Sequence, residues 1–129
     1  MEKQYNFHNS EVGLLAWDVE RLIELTKNHS VKEVPLDTIC EFDDVYWYGL
    51  GEENGDERPT CRNIAEHALQ INNTDLKYPI ILSASGRVMD GMHRICKAYI
   101  EGKSTINAVQ FSEDPRPDFV GKNPNELPY

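Results

Sequence analysis

Side chains able to do chemistry concentrate in the run Asp90-Gly91-Met92-His93-Arg94, with Lys97 three positions further on. A glycine hinging a strand into a helix leaves the first-turn amides without intrahelical partners. Those amides sit at the positive end of the helix dipole, a favourable seat for phosphate. His93, Arg94 and Lys97 are spaced three and four apart, off the apolar stripe of that helix, so their charges add to the dipole. A solvated basic face paired with Glu101 would show the same spacing. Gly91 either admits a phosphate close to the backbone or relieves the tight turn. Asp90 reads as the helix N-cap or as a ligand for Mg²⁺ or a substrate hydroxyl.

Two further groups could serve such a site. Arg62, Asn63 and His67 fall on a second helix, with Asn63 and His67 on one face at i and i+4; an exposed polar pair would look the same. Glu41, Asp43 and Asp44 precede the aromatic run Tyr46-Trp47-Tyr48, which reads as core packing ahead of base stacking. His8, His29, His67 and His93 have no ligand-like spacing for a metal site. No Gly-x-x-x-x-Gly-Lys-Ser/Thr loop occurs.

The elements that must position these residues follow from local pattern. Val12, Leu15, Ala16, Val19, Leu22 and Ile23 recur at helical steps after Ser10, predicting a first helix capped there and ending near Asn28. Val34 to Ile39 reads as an edge strand, since Pro35 cannot donate to a ladder. Gly49 to Pro59, with three glycines and no periodicity, reads as a mobile surface loop able to act as a lid. Thr60 caps the second helix, whose stripe Ile64, Ala68 and Ile71, widened by Ala65 and Leu69, is expected to face the core. Pro79 to Leu82 and Arg87 to Met89 form a hairpin around Ser83 to Gly86. The third helix runs from Gly91 to about Glu101, with Met92, Ile95, Cys96, Tyr99 and Ile100 inward and Gly102 as its stop. Thr105 to Phe111 supplies the closing strand, and beyond it Pro115, Pro117, Pro124 and Pro128 mark an extended tail, laid on the domain or free.

The chain has 129 residues, enough for one domain that buries about two thirds of its unfolded surface. Its formal charge of -9 opposes broad attraction to nucleic acid or anionic lipid, so any anion site must be local. Cys40, Cys61 and Cys96 lack paired spacing and read as reduced, mostly buried thiols. No leader pattern or membrane-length apolar run is present, and cytoplasm is the expected compartment.

This order of elements, with Val34-Pro35-Leu36-Asp37-Thr38-Ile39, Ile64-Ala65-Glu66-His67-Ala68, Pro79-Ile80-Ile81-Leu82 and Asp90-Gly91-Met92-His93-Arg94, resembles the ParB/sulfiredoxin superfamily over about residues 32–111. Residues 1–31 would be a helical extension and 112–129 a tail on one small α/β (α+β) domain. The resemblance implies a nucleotide whose phosphates rest on Gly91, His93 and Arg94, with polar groups of the second helix, here Arg62, Asn63 and His67, reaching the same ligand. In sulfiredoxins the residue between this glycine and histidine is the catalytic cysteine; here it is Met92, a thioether that cannot form a thiolate, so sulfinic acid reduction is not expected. DNA-partitioning members carry a Gly-Glu-Arg-Arg-type motif there, followed by a helix-turn-helix region; with Gly-Met-His-Arg at this place and a charge of -9, DNA partitioning is not expected of this chain. The form here looks closest to the free-serine kinase branch, in which a glutamate after the first strand acts as base, a role open to Glu41, Asp43 or Asp44.

The expected function is a nucleotide-dependent phosphotransfer to a small hydroxyl compound, using ATP or ADP, with CTP also open, and Mg²⁺ held by nucleotide oxygens and one or two carboxylates. The alternative is a non-catalytic, nucleotide-responsive module that engages a protein partner through Phe119 and Tyr129 of the tail.

Overall fold

In the computed structural model, which describes residues 3–48 and 57–129, a four-stranded mixed sheet and a three-stranded antiparallel sheet combine with three α-helices in an α+β fold. The larger sheet has the order β3(Lys32–Pro35), β6(Thr105–Gln110), β4(Ile80–Leu82), β5(Val88–Asp90). Pro35 lies at the end of the edge strand, as a residue without an N–H must. β6 is antiparallel to β3 and parallel to β4, so the strand expected to close the sheet lies inside it. The parallel β4–β6 pair is bridged by β5 and the helix α3(Met92–Ile100).

All three residues of β4 are buried because both faces of the sheet are covered. Ile80, Leu82, Val88, Ile106 and Ala108 pack against Met92, Ile95 and Ala98 of α3. On the opposite face Ile81, Met89 and Val109 meet Trp17, Leu22 and Phe111. Trp17 and Leu22 come from the N-terminal segment, which departs from the single helix its periodicity predicts. That segment forms β1(Tyr5–His8), β2(Leu15–Asp18) and the short helix α1(Val19–Leu25), capped by Asp18 rather than Ser10. Asp18 Oδ1 accepts from the Glu20 amide at 3.0 Å, while Ser10 sits in the turn between the two strands.

β1 and β2 pair as an antiparallel hairpin over their whole length, and the other end of the chain adds to it. β7(Phe119–Val120) of the proline-rich tail adds to the far edge of β2, with Leu15 opposite Val120 and Ala16 opposite Phe119. Trp17 Nε1 donates to the Pro115 carbonyl at 2.9 Å, and Arg21 pairs with Asp118 at 2.7 Å. The tail is thus laid down on the domain, and Leu127 is buried.

The helix α2(Cys61–Asn73) starts at Thr60 as expected, the hydroxyl accepting from the Asn63 amide. Its orientation is the reverse of the expected one: Ile64 and Leu69 are 51% and 60% exposed, and the buried residue is His67. Tyr99 and Ile100 on α3 likewise face outward, since Met92, Ile95 and Ala98 alone complete the helix's buried edge. Cys40 and Cys61 are exposed and Cys96 is half-buried, so burial of all three thiols does not hold. Gly102, at φ +78°, ends α3 where the sequence places the stop.

Candidate functional site

The start of α3 opens on a cleft of about 420 Å³ between α2, the β1–β2 sheet and the aromatic segment before residue 49. Gly91, Met92 and His93 line it, with Asp90 at the preceding strand end. Gly91 is the residue before the helix and adopts φ +116°, and no side chain caps this helix. Asp90 is therefore not the N-cap; its Oδ2 accepts from Arg94 Nη2 at 3.0 Å. That contact, one turn along the helix, folds the guanidinium back over Gly91: a Cβ on Gly91 would meet Arg94 Nη2 at 2.9 Å and Ile80 Cγ2 at 2.5 Å.

Opposite the helix start, α2 presents Asn63 and His67 to the same cleft. His67 Nδ1 lies 2.8 Å from His93 Nε2, and His67 Nε2 lies 2.8 Å from Glu57 Oε1. Asn63 Nδ2 donates to the same carboxylate oxygen. Trp47 covers the pair, its ring stacked 4.1 Å from His67 and 4.7 Å from His93. Burial opposes ionisation of Glu57, but the hydrogen bonds from Asn63 and His67 outweigh it and hold the carboxyl below its usual range. Burial, reinforced by the neighbouring His67, pushes His93 down to about 4, so its imidazole is neutral at physiological pH. Tyr46, also on the cleft wall, is raised by burial and by the carboxylates of Glu41 and Asp90, so it stays a protonated phenol.

The remaining expected residues lie elsewhere. Glu41 is buried beneath β5, where Oε2 accepts from the Val88 amide at 2.9 Å and lies 3.5 Å from Arg87 Nε, an arrangement that pins the strand. Asp43 and Asp44 are exposed at the end of a 3₁₀ turn and do not line the cleft. Arg62 is exposed on the outer side of α2. Lys97 donates to the carbonyls of Asn72 and Thr74 at 3.1 and 2.6 Å, closing the C-terminal end of α2. Of the three cations expected to converge, only His93 faces the cleft. Most of the loop read as a lid lies outside the described residues; at its described end Glu57 donates its amide to the Trp47 carbonyl at 3.2 Å.

Sequence reasoning missed Glu57 and read Trp47 as core packing; Trp47 does pack against the core, and the stacking of its ring on the two imidazoles is what that reading missed. Neither carries a signal: Glu57 sits in an aperiodic acidic stretch, and Trp47 in an aromatic run typical of packing. Gln4, Asn6, Glu66, Gln70 and Lys3 add to the polar lining, Lys3 being paired with Asp18 at 2.9 Å. Tyr129 forms part of the rim, edge-on to Tyr5 with ring centres 5.3 Å apart. Cys96, one turn beyond Met92, has its thiol raised by burial. Among the described residues no three His, Cys, Asp or Glu side chains are arranged to hold a metal ion, and no helix is long and apolar enough to cross a membrane.

Comparison with protein-family models, with curated proteins and with solved structures gives no match for this chain.

Proposed function

We propose that the cleft takes a nucleotide by its phosphates at the start of α3, and that the chain is a ParB/sulfiredoxin-like phosphotransferase acting on a small hydroxyl compound. The observation that carries this reading is an uncapped helix start whose Gly91, Met92 and His93 line a cleft large enough for a ligand. Free first-turn amides donate to phosphate oxygens without a desolvated partner to displace. Trp47, already stacked on imidazoles, offers an aromatic edge beside them. Mg²⁺, bound chiefly through nucleotide oxygens, would offset the negative charge of Glu57, Glu66 and Asp90, which line the same cleft. Arg94 contributes by holding Asp90 and shaping the Gly91 turn, not as a free cation.

Thermal unfolding with ATP, ADP and CTP, each with and without Mg²⁺, tests the reading. A ligand at 100 times its dissociation constant stabilises by about 2.7 kcal/mol, a plainly measurable rise in Tm. Absence of a shift with every nucleotide at millimolar concentration, confirmed by calorimetry, overturns it.

A further inference from the structure

Glu57, His67 and His93 form one continuous chain of hydrogen bonds from the described end of the 49–57 segment, through α2, to the start of α3. Its proton order follows from the donors and acceptors available. The Glu57 carboxylate can only accept, so His67 carries its proton on Nε2. With that single proton on Nε2, His67 Nδ1 is the lone pair of the 2.8 Å contact and accepts from His93 Nε2–H. In that proton order His93 is the Nε2–H tautomer with Nδ1 unprotonated, and Nδ1 has no hydrogen-bond partner among the described residues. Trp47 stacks on both rings, at 21° to His67 and 17° to His93, with the two imidazoles tilted 28° to each other, so neither ring can turn out of line without unstacking.

We propose that His93 Nδ1 is the general base of the cleft and that Glu57 and His67 are its positioning and charge-storing partners. This assignment rests on the phosphotransfer reading and replaces the carboxylate base that Glu41, Asp43 or Asp44 would have supplied. In the step, the O–H bond of the acceptor hydroxyl breaks and its proton goes to His93 Nδ1. The freed oxygen forms the new bond to the terminal phosphorus, and the P–O bond to the rest of the nucleotide breaks, its oxygen leaving with the electron pair. The Nε2 proton of His93 passes to His67 Nδ1, so the positive charge settles on His67 beside the Glu57 carboxylate. Burial, the neighbouring His67 and then the Arg94 guanidinium disfavour charge on His93 itself. Asp90 and Glu66 face the same cleft, but neither is hydrogen-bonded to the two rings.

The test is ¹⁵N NMR of the full chain with labelled histidine, without ligand, followed by kinetics with ATP and Mg²⁺. At neutral pH His93 appears as the Nε2–H tautomer. Glu57→Gln keeps an oxygen that accepts from His67 but removes its charge, and lowers the midpoint for the pair's first proton by about one pH unit. The acid limb of the kcat profile moves down with it, while the KM for nucleotide stays within about twofold, as expected for a group acting on the acceptor proton. A proton on His93 Nδ1 at neutral pH, or an unmoved midpoint in folded Glu57→Gln, overturns the relay; should that variant not fold, the wild-type tautomer decides. A nucleotide-dependent rise in Tm with an unmoved titration removes the relay and leaves the nucleotide reading, whereas no rise with any nucleotide removes that reading and the base role together.

Discussion

Replacing Gly91 with alanine probes the turn on which the cleft depends. At φ +116° an L-residue is strained by about 1–2 kcal/mol. The added methyl would also stand 2.5 Å from Ile80 Cγ2 and 2.9 Å from Ile80 Cβ, atoms of a fully buried side chain that cannot swing aside. Forcing such a contact in a packed core costs a further 1–3 kcal/mol or about that. Together these give a loss of about 3 kcal/mol, or a fall in Tm of about 10 °C for a chain of this size. Gly102→Ala is the internal control, because at φ +78° its methyl meets nothing within 4 Å and only backbone strain, about 1 kcal/mol, applies. Urea unfolding followed by the fluorescence of Trp17 and Trp47 measures both. Equal midpoints for the two variants would refute the close approach of Gly91 to β4 and, with it, the position of the helix start over the cleft. The methyl also intrudes 2.9 Å from Arg94 Nη2, so weakened nucleotide binding accompanies the lost stability.

Lys97→Met removes the donor to two carbonyls at the end of α2 and is expected to cost about 1 kcal/mol in urea unfolding, leaving nucleotide affinity unchanged; a tenfold loss of affinity would place Lys97 at the phosphates instead. Leu127→Ala empties a buried site in the tail and should destabilise by about 2 kcal/mol, the low end for a peripheral position, while an unchanged midpoint would mean the tail is peeled away in solution. Because His93 is depressed to about 4 in the folded chain, the folded state binds fewer protons than the unfolded one between pH 6.5 and that value, so its contribution is complete above pH 6.5 and is lost as pH falls. Allowing for solvent screening of a half-buried ring, that loss is about 1–2 kcal/mol by pH 4. Unfolding at stepped pH should show it in the wild type and a flatter dependence in His93→Gln; parallel curves would contradict the depressed value.

Elements whose signal is local were legible. Thr60 caps α2 because a hydroxyl three residues before a free amide has an immediate partner, Gly102 ends α3 because the left-handed region favours glycine, and Pro35 marks an edge because it lacks a donor. The N-terminal segment was misread because Leu15, Ala16, Val19 and Leu22 satisfy a helical period equally well. What makes Leu15 and Ala16 a strand is pairing with His8 and Phe7 on one side and with Val120 and Phe119, about a hundred residues away, on the other. The apolar residues of α2 misled in another way: Ile64 and Leu69 form a stripe, yet α3 and the cleft take the polar edge carrying Asn63 and His67.

Sequence alone determined that a glycine-hinged helix start would follow a hairpin and carry Met92, His93 and Arg94 in its first turn. Backbone preference and residue chemistry act over a few bonds, so a string of letters carries them whole. Tertiary structure decided which charges face the cleft: Arg94 turns to Asp90, Lys97 closes α2, and Glu41 is sealed under β5. It also joined imidazoles 26 positions apart into one hydrogen-bonded pair beneath Trp47. Long polar side chains go to whichever partner the packed backbone brings within about 3 Å, and that partner has no fixed distance along the chain.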